Sequence, residues 1–248
     1  MANPTTLTLH ASGAESGAGS GDAVDVGAAR SAAILSLRAT VVTAELRVAV
    51  QTSPDGSTGW RQVCSLPALM SAGRTERAVD ELERYVRATW PAGTDATFEL
   101  LAEAHQLYAT RSDLLDSLSA EILQRADSKR PGAVARALLN ASSRVASALK
   151  PIYPMPLTTI PLVVKDNTGA LAALQVLTLN GLAGGGIDAL VQQRAEAARL
   201  WLKAVAERKE TIDGIEPAAE DAVKGSSGNP TYPDTYPDRF SNNWGDFG

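Results

Sequence analysis

The sequence predicts an α+β protein of two domains: an N-terminal β-sandwich or jelly roll, then a small all-α helical bundle with an extended C-terminal tail. Three observations carry this. Apolar and polar residues alternate in short runs through the first 104 residues, a spacing of three and four replaces that alternation after Glu103, and neither period survives past Asp213. The boundaries are therefore 1–104, 105–212 and 213–248, and 248 residues with 44% hydrophobic content can fill two cores.

The strands follow in order. Leu7 and Leu9 alternate with Thr6 and Thr8 in Thr5 to His10, and Ala32 to Thr40 carries Ile34, Leu35 and Leu37. The Gly- and Ser-rich stretch Ser12 to Gly21 reads as a long mobile loop between them. Leu46, Val48 and Val50 alternate with polar neighbours, and the turn-forming SPDGSTG run at Ser53 to Gly59 predicts a hairpin joining Ala44–Thr52 to Trp60–Leu66. Thr75 to Val79, Arg84 to Trp90 and Ala96 to Ala104 complete seven or eight strands, with Pro91 to Asp95 as the last turn, a spacing that suits a sandwich.

Thr110 before Arg111, Ser112 and Asp113 resembles a capping box and predicts a short helix over Ser112 to Leu118. Ser119 caps Ala120 to Ala126. Pro131 sits where a first-turn proline belongs, ahead of a helix over Gly132 to Lys150 with Val134, Leu138, Ala141, Val145 and Leu149 on one stripe and Arg136, Asn140, Ser143 and Arg144 opposite. Pro151, Pro154, Pro156 and Pro161 make Lys150 to Pro161 an extended or turned connector. Leu162 to Asn180 is a nearly all-apolar helix, Gly181 to Gly186 a break, and Ile187 to Thr211 the longest helix, with Leu190, Arg194, Ala197, Trp201 and Val205 on its predicted line.

Composition narrows the function. The net charge of −5 argues against a chain that holds free nucleic acid. With one cysteine, Cys64, and two histidines, His10 and His105, the chain makes neither an internal disulfide nor a Cys/His zinc cage, and neither histidine stands in a nucleophile context. Cys64 reads as a buried thiol, Gly184 to Gly186 as a turn between helices, and Asp113 and Asp116 as solvated residues at a helix start. No enzyme activity, metal or cofactor is expected. No apolar stretch reaches the length of a membrane span and the N-terminus lacks a signal pattern, so a soluble protein made in a cytoplasm is expected.

Charge is distributed unevenly: net −4 over residues 1–104, +4 over 105–212 and −5 over 213–248. The basic surplus gathers at Arg125, Lys129, Arg130, Arg136 and Arg144, which read either as a solvated face or as a surface for an acidic protein or for a passage that DNA traverses. The tail repeats TYPD at Thr231 and Thr235 and concentrates Tyr232, Tyr236, Phe240, Trp244 and Phe247 where no core can form. Rings in so polar a segment point to a stretch that orders on a partner.

From Tyr108 onward the chain resembles the Mu-like phage head-tail adaptor (connector) family. The resemblance rests on YATRSDLLDSL (Tyr108–Leu118), ARALLNASSRVASAL (Ala135–Leu149), YPMPLTTIP (Tyr153–Pro161), ARLWLKAVAERKETI (Ala198–Ile212) and a closing Arg239, Phe240 and Phe247 pattern. Lys209 and Glu210 stand where family members usually have a glycine, and Asp213 to Tyr236 is longer than usual. The N-terminal strands look like β domains attached to other phage virion proteins. The resemblance implies a structural protein of the virion neck: about twelve copies in a ring below the portal protein, extending the channel through which packaged DNA passes and offering a surface to a tail, stopper or terminator protein. It also makes Tyr232, Tyr236, Arg239, Phe240, Trp244 and Phe247 the residues of a partner-docking tail. An alternative of another class is a particle-surface carbohydrate- or receptor-binding module, for which exposed Trp60 or Trp90 on the sandwich is the distinguishing feature.

Overall fold

The computed structural model of the chain describes residues 5–28, 30–181 and 186–218. Nine strands come first: β1 (Thr5–Ser16), β2 (Gly19–Ser20), β3 (Val24–Asp25), β4 (Ala32–Val42), β5 (Ala49–Ser53), β6 (Arg61–Ser65), β7 (Gly73–Val79), β8 (Tyr85–Trp90) and β9 (Asp95–His105). Five helices follow: α1 (Arg111–Leu114), α2 (Ala120–Lys129), α3 (Ala133–Leu149), α4 (Leu162–Asn180) and α5 (Gly186–Ala206). This is the α+β layout that the change of period predicts.

The strands form two antiparallel sheets, β1-β9-β4-β7 and β2-β8-β5-β6, with β3 also on β8. Strict alternation builds the core between them. Phe98, Leu100, Ala102 and Ala104 of β9 and Leu35, Leu37 and Ala39 of β4 meet Val50 of β5 and Val86, Ala88 and Trp90 of β8. The predicted hairpin is present, with Ala49 opposite Ser65 and Thr52 opposite Arg61. Its turn is held by Asp55, whose carboxylate accepts from the amides of Ser57 and Thr58, both at 2.8 Å. The expected loop over Ser12 to Gly21 is a correction: β1 continues to Ser16, which pairs with Asp95. Main-chain bonding to the long β9 is indifferent to side chains, so Gly13 and Ala14 extend the strand without alternation, at the cost of register shifts on either side of His10.

One sheet works on both faces. Ala33 and Val79 pair across β4 and β7 and point into the sandwich, while the next pair, Ile34 and Ala78, points to the helices. Ala32 and Ala78 thus belong to a second core with Leu114, Leu123, Val134, Leu138, Val145, Leu171 and Val176. Gly132, with φ +77°, lies so close to the sheet that a Cβ there would overlap the Ala78 carbonyl oxygen. The five residues between β9 and α1 are pinned as well. Gln106 exchanges two hydrogen bonds with the backbone of Leu157 (2.7 and 3.2 Å), and the Tyr108 amide donates to Ser142 Oγ at 3.1 Å.

In the helical half the predicted stripe of α3 is buried throughout. Ser119 caps α2 by accepting from the Ile122 amide at 3.4 Å. Asp113 accepts from both the amide and the hydroxyl of Thr110, at 2.7 and 2.8 Å, and its other oxygen meets Lys165 Nζ at 2.8 Å. The helix predicted over Ser112 to Leu118 is one turn, since α1 ends at Leu114. Along α5 the predicted line holds at its C-terminal end, where Val205 is buried and Trp201 packs on the core, but not at its start: Leu190 is 48% exposed, and the other buried positions are Val191, Ala195 and Ala198. Ala195 and Ala198 are buried toward the bundle with Val191 and Val205, Trp201 and Leu202 pack at its edge, and Leu190 and Leu200 stay exposed. No described helix is long and apolar enough to cross a membrane.

Candidate functional site

Helix α3 places Ala133, Arg136, Ala137, Asn140 and Arg144 at spacings of three and four, which puts them on one face. Opposite them α4 presents Leu174, Gln175, Thr178 and Leu179. Between the two helices runs a groove of about 340 Å³, closed at its rim by Arg130 from the α2–α3 turn and by Arg199 of α5. Its floor is apolar, from Ala133, Ala137 and the 45%-exposed Leu179; its walls are guanidinium groups. Asn140 Nδ2 and Gln175 Oε1 approach to 3.4 Å across it.

The four arginines differ in their partners. Arg199 Nη1 is 3.1 Å from Glu196 Oε2, whereas Arg130, Arg136 and Arg144 form no ion pair among the described residues. Three positive charges thus border an apolar trough without a neutralising carboxylate, an arrangement suited to an acidic segment that also carries rings.

Of the five basic residues singled out from the sequence, the fold brings Arg130, Arg136 and Arg144 to this groove. Arg125 and Lys129 lie on α2 and do not line it. Lys129 Nζ instead meets the Asn180 carbonyl oxygen at 3.2 Å, a cation on the last carbonyls of α4. Arg199 was not legible: it is 55 positions from Arg144, and only tertiary packing joins them. The tail residues Tyr232, Tyr236, Arg239, Phe240, Trp244 and Phe247 lie outside the described residues, as do Gly184 and Gly185.

A second, mixed-charge cleft of about 380 Å³ lies where the sandwich meets the helices, lined by Arg61, Arg77, Asp80, Glu81, Arg111 and Asp127 among others. Asp127 organises it: one oxygen pairs with Arg111 Nη1 at 2.8 Å and the other accepts from the Val134 amide at 3.1 Å, which satisfies an orphan donor at the start of α3. Burial, reinforced by Glu81, pushes the Asp80 carboxyl above its ordinary value, and its Oδ2 has no hydrogen-bond partner among the described residues.

The sandwich offers less. Trp90, expected on the surface under the carbohydrate-binding alternative, is 6% exposed, because the alternation of β8 turns it inward against Phe98. Trp60 is half-buried with the Arg87 guanidinium 4.0 Å from its ring centre. His10 stands between Trp90 and Phe98, 4.7 and 4.4 Å from their centres, and burial lowers its pKa. Cys64 is buried and its thiol is pushed up to about 11, so it carries no thiolate at neutral pH. Among the described residues no three His, Cys, Asp or Glu side chains come together as a metal site.

Comparison with known proteins bears on the same half of the chain as the groove. Residues 108–228 match the family model described as Bacteriophage Mu, Gp36, a span that takes in all five helices and leaves the sandwich out. No curated protein matches the chain. The match supports a Mu-like phage protein, associated with the virion and serving phage structure or morphogenesis.

Proposed function

We propose that this chain is a head-tail connector. Its helical half builds a ring of about twelve copies beneath the portal protein, the ring continues the DNA channel without sequence-specific contacts, and its far side receives a tail, stopper or terminator protein. The sandwich, residues 1–104, rides outside the ring as a decoration of the neck. The observation that carries this reading is the family match over residues 108–228, which takes in all five described helices, most of the second core and the groove. Short connectors and one basic face suit copies set side by side in a heterologous contact that closes. The role needs no enzyme activity, cofactor or metal, and the C-terminal tail supplies a docking element.

The test is direct. The full chain, mixed with the portal protein of the same phage, is expected to give a ring seated on the portal in single-particle images, with the helical half against the portal and the sandwich outermost. Purified virions are expected to contain the chain at the neck. Its absence from virions, or a location on the capsid faces, would overturn the connector role.

A further inference from the structure

We infer that the Arg-lined groove between α3 and α4 is the seat for residues 231–248 of a second copy of this chain. The inference rests on the ring reading for the presence of adjacent copies, and on three observations for the fit. The first is charge. Residues 231–248 carry Asp234, Asp238 and Asp246 against one Arg239, while Arg130, Arg136 and Arg144 border the groove without carboxylate partners among the described residues.

The second is spacing. The tail repeats Tyr-Pro-Asp at Tyr232 and Tyr236, and a proline favours extended backbone at itself and at the residue before it. Seated at the rise of a proline-rich extended chain, Asp234 and Asp238 would stand ~12 Å apart. Arg136 and Arg144 are eight positions apart on one face of α3, which at the helical rise is also ~12 Å. Two carboxylates meet two guanidinium groups in register, and the tyrosines at the same repeat lie over the Ala133, Ala137 and Leu179 floor.

The third is reach. The described chain ends at Ala218, whose amide donates to the Ile152 carbonyl at 2.7 Å, just past the C-terminal end of α3. The twelve residues 219–230 between that point and the repeat span at most ~40 Å, longer than α3 itself at ~25 Å. A tail leaving that end can cross to a neighbour, and each copy in a closed row gives one tail and receives one.

Sedimentation velocity on the full chain, without portal, tests this. Wild type is expected to self-associate with rising concentration, and the chain truncated after Lys224 to stay monomeric and to bind added peptide 231–248. Arg136→Glu with Arg144→Glu is expected to weaken association about tenfold, as is Asp234→Arg with Asp238→Arg, and salt to weaken the wild type. Mixing these two double variants restores both complementary contacts and is expected to recover the tenfold that each loses alone. Two results overturn the inference: a wild type that stays monomeric and refuses the peptide, which would place the tail on its own groove, and peptide binding that the arginine reversals leave unchanged. The connector role is judged separately on the portal, so a ring that forms there with the arginines reversed would refute the seat and leave the ring.

Discussion

Replacing Gly132 with alanine isolates the contact between the two cores. The residue sits at φ +77°, where an L side chain costs about 1–2 kcal/mol. Its new Cβ would also press on the Ala78 carbonyl, which belongs to a paired strand and has no free rotamer to yield; forcing such a shift costs a further ~1–3 kcal/mol. Gly132→Ala is therefore expected to lose roughly 2–5 kcal/mol. Gly93→Ala is the control, since Gly93 has φ +84° with nothing within 4 Å of its Cβ position, so it loses only the ~1–2 kcal/mol of backbone strain. Equilibrium urea unfolding, followed by tryptophan fluorescence and by far-UV circular dichroism, reads both. A Gly132→Ala loss equal to that of Gly93→Ala would show that helix α3 moves off the sheet freely and that the close approach constrains nothing.

Two further outcomes follow from titrating groups. Burial raises the Asp80 pKa above its unfolded value, so its charged form burdens the fold above that raised pKa and the burden lifts as the pH falls through it. Asp80→Asn is accordingly expected to raise Tm at pH 7 and to lose that advantage on acidification; an unchanged or lower Tm at pH 7 would contradict the burial argument. For His10, burial lowers the pKa below 6.5, so stability present above pH 6.5 is lost as the pH falls through and below that value. His10→Phe, which keeps the stack on Trp90 and Phe98, is expected to flatten the decline in Tm between pH 7 and 5, leaving the share that the similarly lowered His105 contributes. A slope identical to wild type would place the proton uptake elsewhere.

What was legible in the sequence follows from where side chains decide structure. β9 and α3 announce themselves because each has one fully buried face and one more accessible face, so Phe98 and Leu100, or Leu138 and Val145, fall in phase with their element. The end of β1 does not, because main-chain pairing to β9 holds it. Helix α5 misleads for a third reason: close packing selects Ala195 and Ala198 for the interior, and reading by hydrophobicity favours Leu190, which the fold leaves outside with Leu200. The same logic divides the groove. The arginines of α3 are visible from spacing along one helix, but Arg199 joins them only through α5 packing on α4, and α4 is too uniformly apolar for its groove-facing side to be read.

The pinned passage from β9 to α1 has a mechanical consequence. With Gln106, Tyr108 and Gly132 all fastened across it, nothing there acts as a swivel. In the ring proposed above, each sandwich would be carried at a set angle like a tooth on a gear, and its pitch around the axis would be fixed by the number of copies. A partner that touches two sandwiches at once would read that number as a distance.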